Sequence, residues 1–184
     1  MTFTGQTADG RTVSYTDGKR YLWFFSFMLA FVPAASIGLY FWTGSAFAVF
    51  FPLFYMYAVI PGLDLLIGED SHNPPEEVVE AMAADPFYRT LRHASVPVFY
   101  LSFFISAWFV GTQDLPWWAI LVFAYGVGAN HGDVLTIGHE LGHKNNATDR
   151  FWAKLVNAMI GYGHFCIEHN RGHHVWVSTP EDPA

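Results

Sequence analysis

The sequence predicts an all-α integral membrane protein with four transmembrane helices, and three observations carry that expectation. From Tyr21 to Leu63 the chain runs for 43 residues without Asp, Glu, Lys, Arg or His. Two further uncharged runs follow, the 20 residues from Ala94 to Gln113 and the stretch from Leu115 up to His131. Across all 184 residues, 52% are hydrophobic and only 14% charged, against about 25% charged in soluble domains.

The elements follow in chain order. Residues 1–20 form a polar N-terminal segment, with glycines at 5, 10 and 18, and carry no cleavable signal peptide. The partial membrane domain runs over 21–184. One bilayer crossing takes about 20 residues, so the long uncharged run divides into spans at 21–42 and 45–66, folded back at Thr43-Gly44-Ser45. Segment 67–93 reads as a loop carrying a short helix, with Pro75 in its first turn and Glu76, Glu77 and Glu80 at the positive end of its dipole. The third and fourth spans are expected at 94–113 and 115–138. All nine Lys and Arg fall on the side opposite the two short connections, which makes that side cytoplasmic and the protein multi-pass. Trp23, Trp42, Trp108, Trp117 and Trp118 lie near span ends, as an aromatic belt does. Phe50, Phe51, Phe54, Tyr55 and Tyr57 are expected to face lipid.

The chemistry is concentrated in histidine boxes over 139–174. His139-Glu140-Leu141-Gly142-His143 places two imidazoles at i and i+4, about 40° apart on a helix, so both can reach one ion. His169-Asn170-Arg171-Gly172-His173-His174 repeats the pair and adds a third ring. On a regular helix His174 projects about 100° from His173, toward a second ion, or back onto the first if the helix loosens at Gly172. Five imidazoles exceed one ordinary zinc site and point to two ions. Counted from Leu115, His139 lies about 36 Å along a straight helix, beyond a hydrocarbon core of about 30 Å, so the boxes belong at the membrane face. Asp133, Glu140, Asp149 and Glu168 are candidate partners for the free ring N–H groups, with Asp149 read as a solvated surface acid. His72, His93, His131 and His164 read as packing residues, and so does Cys166. Imidazole alone does not choose among zinc, copper, iron and nickel. The first box also fits H-E-x-x-H, the signature of a zinc protease with Glu140 as general base. A membrane metal-binding protein without redox chemistry stays open as well. A net charge of −7 speaks against a nucleic-acid partner, and one cysteine excludes a disulfide scaffold.

Beyond spacing, the sequence resembles the membrane-bound, non-haem di-iron alkane 1-monooxygenases, within the wider histidine-box desaturase and hydroxylase group. The likeness rests on His139 to Lys144, Tyr162-Gly163-His164-Phe165, Glu168 to His174 and the tail Thr179 to Ala184. Upstream it includes Pro61, Leu63-Asp64, Gly68-Glu69-Asp70 and Asn73-Pro74-Pro75-Glu76. It implies metal ligation by His139, His143, His169, His173 and His174, while catalytic side chains stay unassigned. It further implies two iron ions, O2 as co-substrate, an alkane hydroxylated at its terminal carbon, and electrons from rubredoxin and its reductase. The location implied is the bacterial inner membrane, with the boxes facing the cytoplasm. Related members oxidise aromatic methyl groups. Six spans and a third box are implied for the intact enzyme, so the chain resembles its N-terminal portion and is expected to be inactive alone. Thr136-Ile137 and Val175-Trp176 depart from the family pattern.

Overall fold

A computed structural model describes residues 1–182. Among the described residues, four helices are long and apolar enough to cross a membrane: α1 (Arg20–Thr43), α2 (Ala46–Ile67), α4 (Pro86–Thr112) and α5 (Trp117–Gly142). The shorter α3 (Glu76–Ala84) lies between the second and third, and α6 (Ala147–Met159) follows the fourth. The last helix, α7 (165–176), is irregular. The protein is a multi-pass, all-α membrane fold with one small hairpin.

The spans begin and end where the chain stops being able to continue. Gly44, at φ 66°, closes α1 with its N–H on the Tyr40 carbonyl, a left-handed position that glycine occupies without strain. The Ser45 hydroxyl then accepts the Phe47 N–H and opens α2. Asp85 caps α4 by accepting the Phe87 N–H, with Pro86 in the first turn. That start is earlier than the expected 94, because Arg89, Arg92 and His93 lie on helix that has left the apolar run. Pro75 caps α3 rather than entering its first turn. The two short connections share one end: Tyr40 packs on Phe109 at 5.0 Å and Phe47 on Trp118 at 5.4 Å. Trp42, Trp108 and Trp117 are exposed around that end, where a belt would sit. Phe50, Phe54 and Tyr57 are exposed as expected of lipid-facing rings, while Phe51 and Tyr55 are half-buried.

Two apolar clusters hold the spans together. Toward the short connections, Ile37, Val49, Phe109, Ala119 and Phe123 interlock. Toward the boxes, Ala30, Val96, Phe99, Val134, Leu141 and Val156 join α1, α4, α5 and α6. This second cluster fixes the first box against the helix that follows it.

The polar N-terminal segment is folded. Thr2–Gln6 (β1) pairs antiparallel with Thr12–Thr16 (β2), Phe3 opposite Tyr15. Phe3 is buried with Val78 and Tyr88, and Gly5 lies so close to the Glu77 backbone that no side chain fits there. Tyr88 hydrogen-bonds Asp17. Arg20 clamps Asp85 through two N–H···O bonds of 2.9 and 3.0 Å while lying 4.2 Å over the Phe87 ring. This pairing holds the Asp85 carboxyl below the usual range. Hairpin, α3 and the head of α4 are thereby one unit.

Candidate metal centre

The first box sits on the membrane-spanning helix itself. α5 loosens at Gly132-Asp133 and resumes over Val134–Gly142, so His139 rides its last turn and His143 follows its end. The second box arrives on α7, which packs back against α5. Gly142 makes this approach possible, and Gly138, one turn earlier, does the same for α6. A Cβ on Gly142 would lie 2.6 Å from the Cys166 sulfur, and one on Gly138 2.6 Å from Cγ of the buried Asn157. Asn170 adds a hydrogen bond from its amide to the Gly142 carbonyl at 3.0 Å. Cys166 is a packing residue in this joint, its thiol pushed up by burial.

Four imidazoles converge: one nitrogen from each of His139, His143, His169 and His174 lies within 4.8 Å of all the others. The Nε2 atoms of His139 and His169 are 3.2 Å apart, and those of His169 and His174 are 3.0 Å apart. Metal–nitrogen bonds of about 2.1 Å in a tetrahedron put ligand atoms about 3.4 Å apart, so this donor set fits an ion of that class. Burial, followed by the neighbouring imidazoles, pushes His169 down to about 4. The same causes hold His143 below the usual range. Neutral rings are ligand-ready rings.

The membership of His174 comes from the backbone. His169–His173 forms a π turn, and the His174 N–H donates to the His169 carbonyl five residues back. On an α-helix these residues would point about 140° apart, whereas a π turn brings positions five apart into register. The helix loosens around Gly172, and His174 swings onto the cluster. His173 faces Asp182 instead, its Nδ1 3.0 Å from a carboxylate oxygen, with its ring centre 5.4 Å from that of His169.

The other candidate residues are placed as follows. Glu140 pairs with Lys144 at 2.7 Å and Glu168 accepts the Tyr162 hydroxyl at 2.6 Å and faces His164 at 3.2 Å. The Asp133 carbonyl accepts the Thr136 hydroxyl. Asp149 is buried rather than solvated, and pairs with His93. No bond joins any of the four to a cluster ring among the described residues. His131 is buried against Ser102 at 3.1 Å, while His72 is exposed beside Asp70. Asp182, the carboxylate that does meet a box histidine, lies in the tail motif singled out from sequence without a role. Pro183 and Ala184, which complete that motif, lie outside the described residues. Beside His143 opens a cavity of about 690 Å³ lined by Lys144, Arg150, Lys154 and Arg171, with no acidic residue in its wall among the described residues.

No protein-family model matches the chain. Curated relatives do. The chain is 46% identical over 173 residues to an alkane 1-monooxygenase of Pseudomonas putida, covering 92% of this chain and 42% of that protein. It is 42% identical over 179 residues to alkane 1-monooxygenase 1 of Alcanivorax borkumensis, covering 96% and 44%. An alkane 1-monooxygenase of Acinetobacter baylyi is 30% identical over 177 residues, covering 95% and 43%. The chain thus spans less than half the length of the relatives it matches. Nearly all of it aligns, and by sequence it is a part-length relative of the alkane 1-monooxygenases.

Proposed function

We propose that this chain forms part of a membrane monooxygenase that hydroxylates the terminal carbon of alkanes with O2 at a histidine-held di-iron centre. The observation that supports this reading is the quartet of imidazoles at the end of a membrane-spanning helix, in a chain similar to alkane 1-monooxygenases. His139, His143, His169 and His174 hold the first iron. Asp182 accepts the Nδ1–H of His173, which fixes the tautomer and leaves Nε2 as a ligand for the second. Further ligands to that ion come from parts of the longer relatives with no counterpart in this chain. Bound iron supplies the oxygen activation and one-electron chemistry that side chains lack.

The chain's own groups do the rest. The span end delivers an apolar substrate from the bilayer to the cluster without a passage through water. The cationic opening beside His143 suits an electron carrier with an acidic face, the role assigned to rubredoxin, with its reductase behind it. Such a carrier approaches from the cytoplasm, so the boxes face inward from the bacterial inner membrane. Glu140, the base that a zinc protease would need, pairs with Lys144 and makes no bond to a cluster ring among the described residues, which favours the oxygenase reading over the protease one.

The test is anaerobic loading of the 184-residue chain in nanodiscs with ferrous iron, followed by metal counting. Iron is retained, His139→Ala and His169→Ala lose it, and the loaded chain with rubredoxin and reductase forms no octanol from octane. Zinc retention with peptide cleavage overturns the reading, as does the absence of tightly bound metal. Octanol formation by this chain overturns its dependence on further ligands.

A further inference from the structure

The length of α5 sets the depth at which the cationic cavity opens. The helix holds 26 residues and runs about 39 Å if straight, against a hydrocarbon core of about 30 Å and about 40–45 Å with both headgroup layers. With Trp117 in the aromatic belt at one face, Gly142 emerges among the headgroups of the other. Gly142, His143 and Lys144 line the cavity of about 690 Å³, which therefore opens at that layer. Its remaining walls include Arg150, Phe151 and Lys154 of α6, with Ile167 and Arg171 of α7.

Charge defines what fits. Lys144 is matched by Glu140 at 2.7 Å, but among the described residues no carboxylate pairs with Arg150, Lys154 or Arg171. The neighbouring acids are engaged elsewhere: Asp149 is buried against His93, and Glu168 holds Tyr162 and His164. Arg150 reaches a carbonyl, that of Asn145, at 3.3 Å. Like charges around one recess repel, and an anion placed among them relieves that repulsion. The rim adds a second requirement, because Phe151 and Ile167 are large apolar side chains that stand exposed beside the same recess. A free phosphate makes no use of them, whereas the glycerol and first methylenes of a phospholipid do. A folded protein is too large to enter, so the carrier proposed above meets the outer edge of the opening.

We propose that this cavity binds the phosphate-bearing headgroup of an anionic phospholipid, from the leaflet at which the boxes lie. Arg150, Lys154 and Arg171 meet the phosphate, and Phe151 and Ile167 meet its apolar end. Basic residues on an amphipathic helix at the interface attract such lipids. α6 has that character, with Arg150, Phe151 and Lys154 exposed and Ala153 and Val156 buried. The bound headgroup joins the segment after α5 to α6 and α7, and so ties the helix of the second box to the first. The inference goes beyond the proposed function and needs no metal.

The experiment is native mass spectrometry of the metal-free 184-residue chain, released from detergent micelles carrying phosphatidylglycerol or phosphatidylcholine with the same acyl chains. One phosphatidylglycerol is expected to stay bound, at least tenfold more tightly than phosphatidylcholine, since each basic residue near an anionic lipid surface contributes about fivefold. The double variant Arg150→Gln, Lys154→Gln loses that preference, whereas Arg11→Gln, on the hairpin, keeps it. Phe151→Ser weakens both lipids at least threefold and leaves the preference in place. Inorganic phosphate and glycerol 3-phosphate compete at least a hundredfold more weakly than the lipid. Far-UV circular dichroism checks that each variant is folded, and Arg171→Gln gives a second reading should the double variant not fold. Equal binding of the two lipids, an undiminished preference in the folded charge variants, an unaffected Phe151→Ser, full competition by either free phosphate, or displacement of the lipid by saturating rubredoxin overturns the proposal. Because the chain is metal-free, failure here leaves the iron assignment standing, and failure of iron loading leaves this result intact.

Discussion

Gly138→Ala tests whether the metal cluster depends on how closely α5 and α6 approach. The added Cβ would fall 2.6 Å from Cγ and 2.7 Å from Nδ2 of Asn157. Asn157 Oδ1 is nearer still, and ordinary contact begins at 3.4 Å, so the two helices must part by more than about 0.8 Å or Asn157 must rotate. Asn157 is fully buried and has little room to turn. Overpacking of this kind costs about 1–3 kcal/mol. The larger consequence is at the cluster, because α7 follows α6 and carries His169 and His174. Metal sites tolerate about ±0.2 Å in ligand distance, and losing the groups that orient ligands costs about 10- to 100-fold in affinity. The variant should therefore lose cobalt affinity by at least tenfold in detergent titrations followed by visible absorption. Asn157→Ala should restore much of it in the double variant, since it empties the space and removes an amide oxygen that has no partner among the described residues. Full cobalt affinity in Gly138→Ala with an unchanged melting midpoint would refute the reasoning.

Other expectations follow from the same geometry. His174→Ala should weaken the first cobalt equivalent at least tenfold, whereas His173→Ala should leave it nearly intact; equal losses would contradict the π-turn assignment. The metal-free chain should lose stability as pH falls from about 6.5 to about 4, read as a melting midpoint. His169 has a folded value of about 4 against an ordinary 6.5, so the unfolded chain binds the extra proton in that window. His169→Phe should flatten that slope, and an unchanged slope would remove His169 as its source. Asp85→Ala should destabilise more than Asp85→Asn by about 1 kcal/mol, because alanine loses the helix cap that asparagine keeps. Equal melting midpoints would show that the cap contributes nothing.

The membrane core was legible because a run without charge is a direct statement about solvent. Its edges were less so. Absence of charge reports where hydrocarbon ends, not where helix ends, and α4 continues outward through Arg89, Arg92 and His93. The hairpin escaped notice because its burial is supplied by Val78 and Tyr88, more than sixty residues away. Asp149 escaped for the same reason: His93, which hydrogen-bonds it, is 56 residues upstream. Local sequence marks a carboxylate as polar and leaves its partner unnamed. The i, i+4 spacing, in contrast, displayed the first box almost completely, since a regular helix carries the two rings together.

The second box shows what spacing leaves open. His169, His173 and His174 contain two candidate pairs, and the helix type selects between them. A regular α-turn presents His169 with His173, four residues on. A π turn presents His169 with His174, five residues on, at the expense of regular hydrogen bonding. Nothing in the residue types decides this, apart from Gly172, whose low helix propensity weakens the α alternative. The surrounding contacts accompany the second arrangement: Phe165, one turn earlier on α7, stacks on His169, Asn170 holds the distant Gly142 carbonyl, and Asp182 draws His173 aside. Each of these lowers the relative cost of the π turn. A third adjacent histidine is thus no redundancy, because one helical irregularity sends His174 to the cluster and frees His173 for a carboxylate partner.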